Sequence, residues 1–365
     1  MKYIYFGLIV QLIFSSCSET ELNLVQVMPE ESLEIELRVD TLEIETPQTN
    51  REFPYRFPSF DYGNQVFAGL DERTNTINVY DLTSFKIKHS IELHNQGPHA
   101  IQGNMVGSIW YQSPDSIFVL QHVPNRLMIV NSAAEIIWQK DLTEAFKDSQ
   151  EMTGLMAYSL FDRVMMYFRN GKAYFGLRQN QAHQDFLNPM IGYYDFAQNE
   201  MGALNIPYPE FYTRNENVGS YQFPGITWFE NSILIVFPYS PEIFVYDLKG
   251  HLLTHVLKPD GFKMGKAPEP DQSNRSHLLS NPLYRGVIPV GGGQYYVQYS
   301  QEQTPSDADG KTYQATIVYG RDFKEYHVID KNLAPLSFGG EYFCYPLLPE
   351  QTNVQLLERY RIEVE

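Results

Sequence analysis

The chain has 365 residues, with 44 Asp and Glu against 27 Lys and Arg, a formal charge of −17 and two cysteines. A polyanion lacks the cations that neutralise phosphates, so nucleic acid is excluded as a ligand, and two cysteines make neither a disulfide framework nor a cysteine zinc site. Stability must come from an apolar core, which 43% hydrophobic and 14% aromatic residues can supply over this length.

Residues 1–16 are set aside as a signal segment, because Lys2 is followed by the apolar run Tyr3 to Phe14. That run is too short to span a bilayer, which takes about 20 apolar residues. Phe14-Ser15-Ser16-Cys17 resembles the lipobox of bacterial lipoproteins, an apolar residue and two small ones before the cysteine that is acylated. The resemblance implies a lipid anchor with palmitate-like chains on Cys17; an ordinary cleaved signal with a chance cysteine is the alternative. Several acyl chains on one residue suffice for stable attachment. Ser18, Glu19, Thr20 and Glu21 resemble the export signal that sends some Bacteroidota lipoproteins to the outer face of the outer membrane. An acidic tether is also simply a soluble one. Residues 17–32 are therefore read as an acidic tether. The expected location is the outer membrane, lipid-anchored and surface-exposed, with its periplasmic face as the alternative.

From Leu33 to Glu45 the run LEIELRVDTLEIE places Leu33, Ile35, Leu37 and Val39 on one parity and Leu42 and Ile44 on the other. Strand side chains alternate strictly, so this predicts a strand with a bulge or break near Asp40. Five further stretches share one pattern: INVYDL from Ile77, LMIVNS from Leu127, IGYYDF from Ile191, IFVYDL from Ile243 and TIVYGR from Thr316. In each, alternating apolar residues stop at Asp, Asn or Gly, residues that turn the chain. An apolar strand precedes each anchor, as in NQVFAGL from Asn64, and another follows, as in KIKHSIEL from Lys86. GEYFCYPL from Gly340 and VQLLERYRIEV from Val354 begin a sixth unit. The pattern predicts an all-β, six-bladed β-propeller of the NHL/TolB-like kind over residues 33–365. Its antiparallel blades have four strands, and the N-terminal strand closes the last of them. Two stacked β-sandwiches are the rival, and no Pro/Gly-rich linker near the middle favours them.

The segment IELHNQGPHAIQG, Ile91 to Gly103, with the strands after it, is similar to the first-to-second blade segment of six-bladed propeller lipoproteins grouped as domain-of-unknown-function family 4221. The family's Gly-Pro-Asn-Gly-like turn stands here as Gly97-Pro98-His99-Ala100, and NPLYRG from Asn281 resembles a later Tyr-Arg segment containing Tyr284 and Arg285. The resemblance implies fold and location, and no activity attaches to the family.

Candidate ligand-face residues come from the connections. His99 follows the Gly97-Pro98 turn and projects toward a ligand, or the turn is simply what Gly and Pro allow. Residues 206–225 hold Tyr208, Phe211, Tyr212, Tyr221 and Phe223 beside Arg214, rings that stack on a sugar or cover blade edges. Residues 258–283 are polar, with Arg275 and His277. Connections of this length are often functional or disordered, and the second reads equally as a mobile flap. Asp307-Ala308-Asp309-Gly310 resembles the start of a calcium loop but lacks the remaining ligands, so a polar hairpin accounts for it. Catalytic signatures do not emerge. There is no HExxH or G-x-S-x-G, Gly291-Gly292-Gly293 lacks the lysine of a phosphate loop, Glu269 with Asp271 is chance proximity, and His251 and His255 read as surface residues on one strand face. The expectation is a binding module with no cofactor, tethered to a membrane and meeting an envelope protein, a peptide or a glycan. The alternatives are a propeller enzyme acting on a glycan or small lactone or ester, and a structural envelope component.

Overall fold

The computed structural model describes residues 24–45, 55–61, 65–143, 152–155, 166–179, 186, 189–215, 217–303, 312–329, 336–338, 342–346 and 354–364. Cys17, residues 1–16 and the Asp307–Gly310 run lie outside them.

Three strands open the described chain: β1 (Val25–Val27), β2 (Glu30–Glu31) and β3 (Ile35–Glu45). The rest follow in chain order and pair into six sheets. Sheet I holds β4 (Tyr55–Asp61), β5 (Val66–Asp71), β6 (Thr76–Asp81) and β7 (Ile87–Glu92). Sheet II holds β8 (Val106–Ser113), β9 (Ser116–His122), β10 (Asn125–Val130) and β11 (Ile136–Asp141). Sheet III holds β12 (Met152–Leu155), β13 (Met166–Arg169), β14 (Lys172–Gln179), β15 (Ile191–Asp195) and β16 (Glu200–Leu204). Sheet IV holds β17 (Gly225–Phe229), β18 (Ser232–Val236), β19 (Ile243–Asp247) and β20 (Leu252–Val256). Sheet V holds β21 (Leu283–Val290), β22 (Tyr295–Gln303), β23 (Thr312–Gly320) and β24 (Glu325–Ile329). Sheet VI holds β25 (Leu336–Phe338), β26 (Tyr342–Pro346) and β27 (Val354–Val364), with β3 beside β27.

Packing arranges these sheets in a ring. Along β9, Ile117 and Val119 join a cluster with Val66, Ala68 and Val79 of sheet I, while Phe118 and Leu120 join one with Met166, Phe175 and Tyr194 of sheet III. The pleat alternates, so a strand buried on both faces can feed two neighbours. Further clusters join III to IV through Tyr174 and Ile233, IV to V through Val236 and Ile317, V to VI through Val297 and Tyr360, and VI to I through Ile44 and Phe67. Each sheet is therefore sandwiched between two others, which is the arrangement of an all-β β-propeller.

The anchors act as predicted from their chemistry. Asp81 Oδ1 accepts from the N–H groups of Thr83 and Ser84, and Asn131 Oδ1 from Ala133 and Glu135. Asp195 Oδ1 accepts from Ala197 and Gln198, and Asp247 Oδ1 from Lys249 and His251. Each closes the hairpin that follows, and in each a residue takes positive φ before the next strand: Phe85, Ala134, Asn199 and Gly250.

Three expectations change. First, β3 pairs β27 over an unbroken register from Ile35↔Val364 to Glu45↔Val354, with no bulge at Asp40. Parity switches because the strand serves two neighbours in succession: Ile35 and Leu37 pack toward sheet V, and Leu42 and Ile44 toward sheet I. Second, within the segment read as tether, Val25–Val27 and Glu30–Glu31 are strand. β1 runs parallel beside β20, β2 runs parallel beside β24, and Val27 is buried between sheets IV and V. The N-terminal segment thus laces the outer edges of sheets IV, V and VI, covering backbone groups that an edge strand leaves open. Third, four strands per sheet holds for I, II and VI only: IV and V gain β1 and β2, and in III both β12 and β13 pair with β14.

Candidate functional site

The connections from an outer strand to the next inner strand emerge at one end of the ring, together with the β5–β6, β9–β10 and β18–β19 turns. In sheet I this end is organised by Asn75, whose Nδ2 lies 2.9 Å from Leu93 O, Ile101 O and Asn95 Oδ1. Asn75 is buried at φ +54°, a conformation that Asn tolerates better than most residues. One amide thus ties the β5–β6 turn to the connection that carries the Gly97-Pro98 turn. Within that connection His99 Nδ1 accepts from Ile136 N–H at 3.0 Å. The imidazole braces the connection against β11, the outermost strand of sheet II.

A larger assembly covers sheets III to V. Residues 205–224 include helix α1 (Glu210–Arg214) and residues 257–282 include helix α2 (Asn274–Ser280). The two connections lock together. Tyr212 Oη donates to Tyr221 O at 2.5 Å, Tyr221 Oη donates to Pro282 O at 2.8 Å, and His277 Nε2 meets Lys266 O at 2.7 Å. A carbonyl only accepts, so His277 carries its proton on Nε2. Tyr284 Oη donates to Lys263 O at 2.6 Å, and Gly265 N–H donates to Tyr239 O at 2.6 Å. At Gly219, φ is +57°, and a Cβ would stand 2.6 Å from His277 Nδ1 and 3.2 Å from Pro268 Cγ. A side chain at Gly265 would collide with the Tyr221 phenol.

Beneath the hydrogen bonds lies an aromatic layer. Phe211 stacks on Tyr239 with centroids 4.0 Å apart and 8° between planes, and Phe186, Tyr208, Tyr212 and Phe237 meet at 5.0 to 6.0 Å. Burial pushes the Tyr212, Tyr221 and Tyr239 phenols far above their ordinary range and that of Tyr246 up to about 12. These phenols stay neutral at physiological pH, and those of Tyr212 and Tyr221 donate to backbone carbonyls. Of the rings that suggested sugar stacking, Tyr208, Tyr212 and Tyr221 are core and Phe211 packs half-buried against them, while Phe223 is half-buried outside that cluster.

The structure brings together three of the sequence candidates and separates the rest. Tyr221 and His277 touch edge to face at 4.6 Å, and Tyr284 joins the same connection through Lys263. All three are fully buried and hold the layer in place. Arg275 is exposed on α2, and Arg214 is exposed on α1, paired with Glu210. Arg285, half-buried on β21, places its guanidinium 4.8 Å from the Tyr299 ring centroid. His99 belongs to the distant sheet I–II connection. His251 lies on the surface as read, its Nδ1 2.9 Å from Asp247 Oδ2, whereas His255 departs from the sequence reading: it is half-buried and stacks on Phe244 at 4.4 Å. A bulge at Leu253, where Val245 pairs Thr254 and Tyr246 pairs Leu252, breaks the simple alternation between them. Asn75, Phe211 against Tyr239, and Gly219 went unmarked in the sequence. A buried Asn in a polar turn and a Gly-Ser pair carry no periodicity to betray them.

Two carboxylates are buried among the described residues: Asp71, at the end of β5, and Asp195, engaged in its hairpin and 3.1 Å from Lys172 Nζ. They belong to different sheets. No group of three His, Cys, Asp or Glu suited to a metal occurs among the described residues, and no helix there is long and apolar enough to cross a membrane.

Comparison with known proteins agrees with the architecture. The model of a family described as a domain of unknown function, DUF4221, matches residues 32–281. A crystal structure of a DUF4221 member from Bacteroides vulgatus is similar over 92% of this chain and 100% of its own, with a TM-score of 0.69 and 16% identity. An exported-protein candidate from Bacteroides fragilis is similar over 93% of this chain and 100% of its own, with a TM-score of 0.60 and 9% identity. At these identities the likeness is one of fold. No curated protein sequence matches the chain.

Proposed function

From the premise that the chain belongs to the DUF4221 family, we propose that it is a lipid-anchored outer-membrane β-propeller of six blades, one per sheet, that works as a binding module. The binding surface is the end of the ring that carries the two locked connections. The observation behind this reading is the construction of residues 205–224 and 257–282: two long segments, free in principle to be mobile, are held by buried Tyr, His and Gly contacts into one preformed layer. A preorganised surface avoids the ordering cost that a floppy loop would incur on binding. The exposed side chains of these connections include the charged Arg214 and Arg275, which suit an envelope protein, a peptide or a glycan. Acylation at Cys17 would hold this surface at the outer membrane, on the outside of the cell.

Crosslinking on intact cells followed by mass spectrometry tests the proposal, with the Arg214→Glu and Arg275→Glu double variant as the discriminating sample. Crosslinks from the α1 and α2 region that disappear in the double variant support the reading. A wild-type protein shielded from surface protease and recovered without crosslinks from this face would overturn it.

A further inference from the structure

The N-terminal segment leaves an unusual surface where it crosses from sheet IV to sheet V. β1 is parallel to β20, with Val25 opposite Thr254 and Val27 opposite Val256, and Val27 O accepts from Leu257 N–H at 2.8 Å. The chain therefore leaves β1 at the same end of the ring at which residues 257–282 begin, passes through Met28 and Pro29, and enters β2 beside β24. Tyr326 of β24 donates to Asp260 O at 3.4 Å, which draws the start of that connection toward the same crossing.

Two properties set this rim apart. Leu24, Val25 and Met28 are 47%, 52% and 59% exposed, and Met264 in the adjoining connection is 39% exposed. Together they are four of the seven large apolar side chains exposed among the described residues. The neighbouring residues 257–266 carry Lys258, Lys263 and Lys266 against the single acid Asp260, in a chain whose formal charge is −17. Lys263 and Lys266 are exposed and Lys258 is half-buried. Apolar side chains beside lysines are the combination that meets a phospholipid surface, the first entering the acyl boundary and the second facing phosphate. Exposed Glu30 and Glu31 lie on the sheet V side of the crossing and limit the contact there.

We infer that this rim, formed by Leu24, Val25 and Met28 with residues 257–266, is the edge of the propeller that rests on the bilayer. The inference rests on the proposed anchoring at Cys17. The seven residues from Cys17 to Leu24 reach about 25 Å when fully extended, so the anchor cannot hold this edge farther than that from the leaflet. The propeller then stands on edge, with its binding surface facing sideways along the membrane.

The test uses the mature acylated protein on vesicles of phosphatidylethanolamine and phosphatidylglycerol. A polarity-sensitive fluorophore is attached to single cysteines introduced in a Cys344→Ser background. Met28→Cys and Met264→Cys are the reporting positions, and Val39→Cys and Ile137→Cys, exposed on the outer strands of sheets VI and II, are the controls. Support is a blue shift at 28 and 264, with quenching by nitroxide-labelled lipid at least twofold above the controls, both diminished by Lys258→Gln, Lys263→Gln and Lys266→Gln together. A protein shown by mass spectrometry to be acylated and vesicle-bound, yet no more quenched at 28 and 264 than at 39 and 137, overturns the inference and leaves the anchoring intact. Absence of acyl chains on Cys17 overturns the anchoring and the inference with it. Protection at 28 that grows with protein concentration without lipid assigns the rim to a second copy of the chain and also overturns the inference.

Discussion

Replacing Gly219 by Ala probes the lock between the two long connections. The new methyl would stand 2.6 Å from His277 Nδ1 and 3.1 Å from its Cε1, and His277 cannot swing aside because it is fully buried, bonded to Lys266 O and set against Tyr221. Overpacking of this kind costs roughly 1–3 kcal/mol, and holding Ala in the left-handed region adds about 1 kcal/mol, so Gly219→Ala should destabilise by about 2–4 kcal/mol. His277→Ala alone should cost a similar amount, about 2–4 kcal/mol, by opening a cavity and leaving Lys266 O without its donor. Combined, the two changes relieve one another, because the methyl enters space that the imidazole vacates. Urea unfolding of the four proteins should therefore give a double variant about 1–2 kcal/mol more stable than the sum of the single losses implies. Losses that add to within about 0.5 kcal/mol would refute the reasoning, since they would mean that Gly219 and His277 do not share the contact.

Other consequences can be checked with similar means. Asn75→Ala strands the buried Leu93 and Ile101 carbonyls and places Ala at φ +54°, so a loss of about 2–5 kcal/mol is expected in urea unfolding; Asn75→Gly, which relieves only the backbone, should recover about 1 kcal/mol of it. The Asp195 carboxyl is held below its ordinary value chiefly by the Gln198 N–H, with burial opposing and Lys172 and Ala197 assisting. Its contribution is therefore present above the ordinary value of 3.8 and lost as pH falls through the lower folded-state value. Asp195→Asn should flatten that acid limb in urea midpoints followed from neutral pH downward, and an unchanged limb would contradict the assignment. Removing residues up to 31 strips β1 from β20 and β2 from β24 and forfeits the burial of Val27, worth about 1.5 kcal/mol. The shortened chain should self-associate through the opened edges, and a monodisperse monomer in light scattering would count against that role.

Much of the architecture was legible because it rests on local chemistry. Asp81, Asn131, Asp195 and Asp247 end strands by accepting from the N–H groups just beyond them, a bond that needs only a few consecutive residues, so a repeated Asp or Asn after an apolar run reveals a repeated hairpin. The strand from Ile35 to Glu45 was legible in place but not in form. Its change of parity suggested a bulge, whereas the cause lies outside the strand, in sheet V on one face and sheet I on the other. The short strands β1 and β2 were hidden for a related reason, since a two- or three-residue addition to a distant sheet edge has no periodicity of its own.

The candidate site divides along the same line. Sequence by itself determined that residues 206–225 and 258–283 are long connections, that the first is rich in aromatic rings, and that Tyr221, His277 and Tyr284 fall within or beside them. Which way those side chains face was decided only by tertiary structure. Tyr212 and Tyr221 turn inward because a phenol that donates to a buried carbonyl loses little on leaving water, while Arg214 and Arg275 stay outside because a guanidinium would have to be desolvated without an equal partner. A ring in a loop reads the same in sequence whether it stacks on a sugar or on its neighbour. What distinguishes the two is the partner brought to it by another segment, Tyr239 of the β18–β19 turn for Phe211 and Gly265 of the next connection for Tyr221, and that meeting exists only once sheets III to V have packed together.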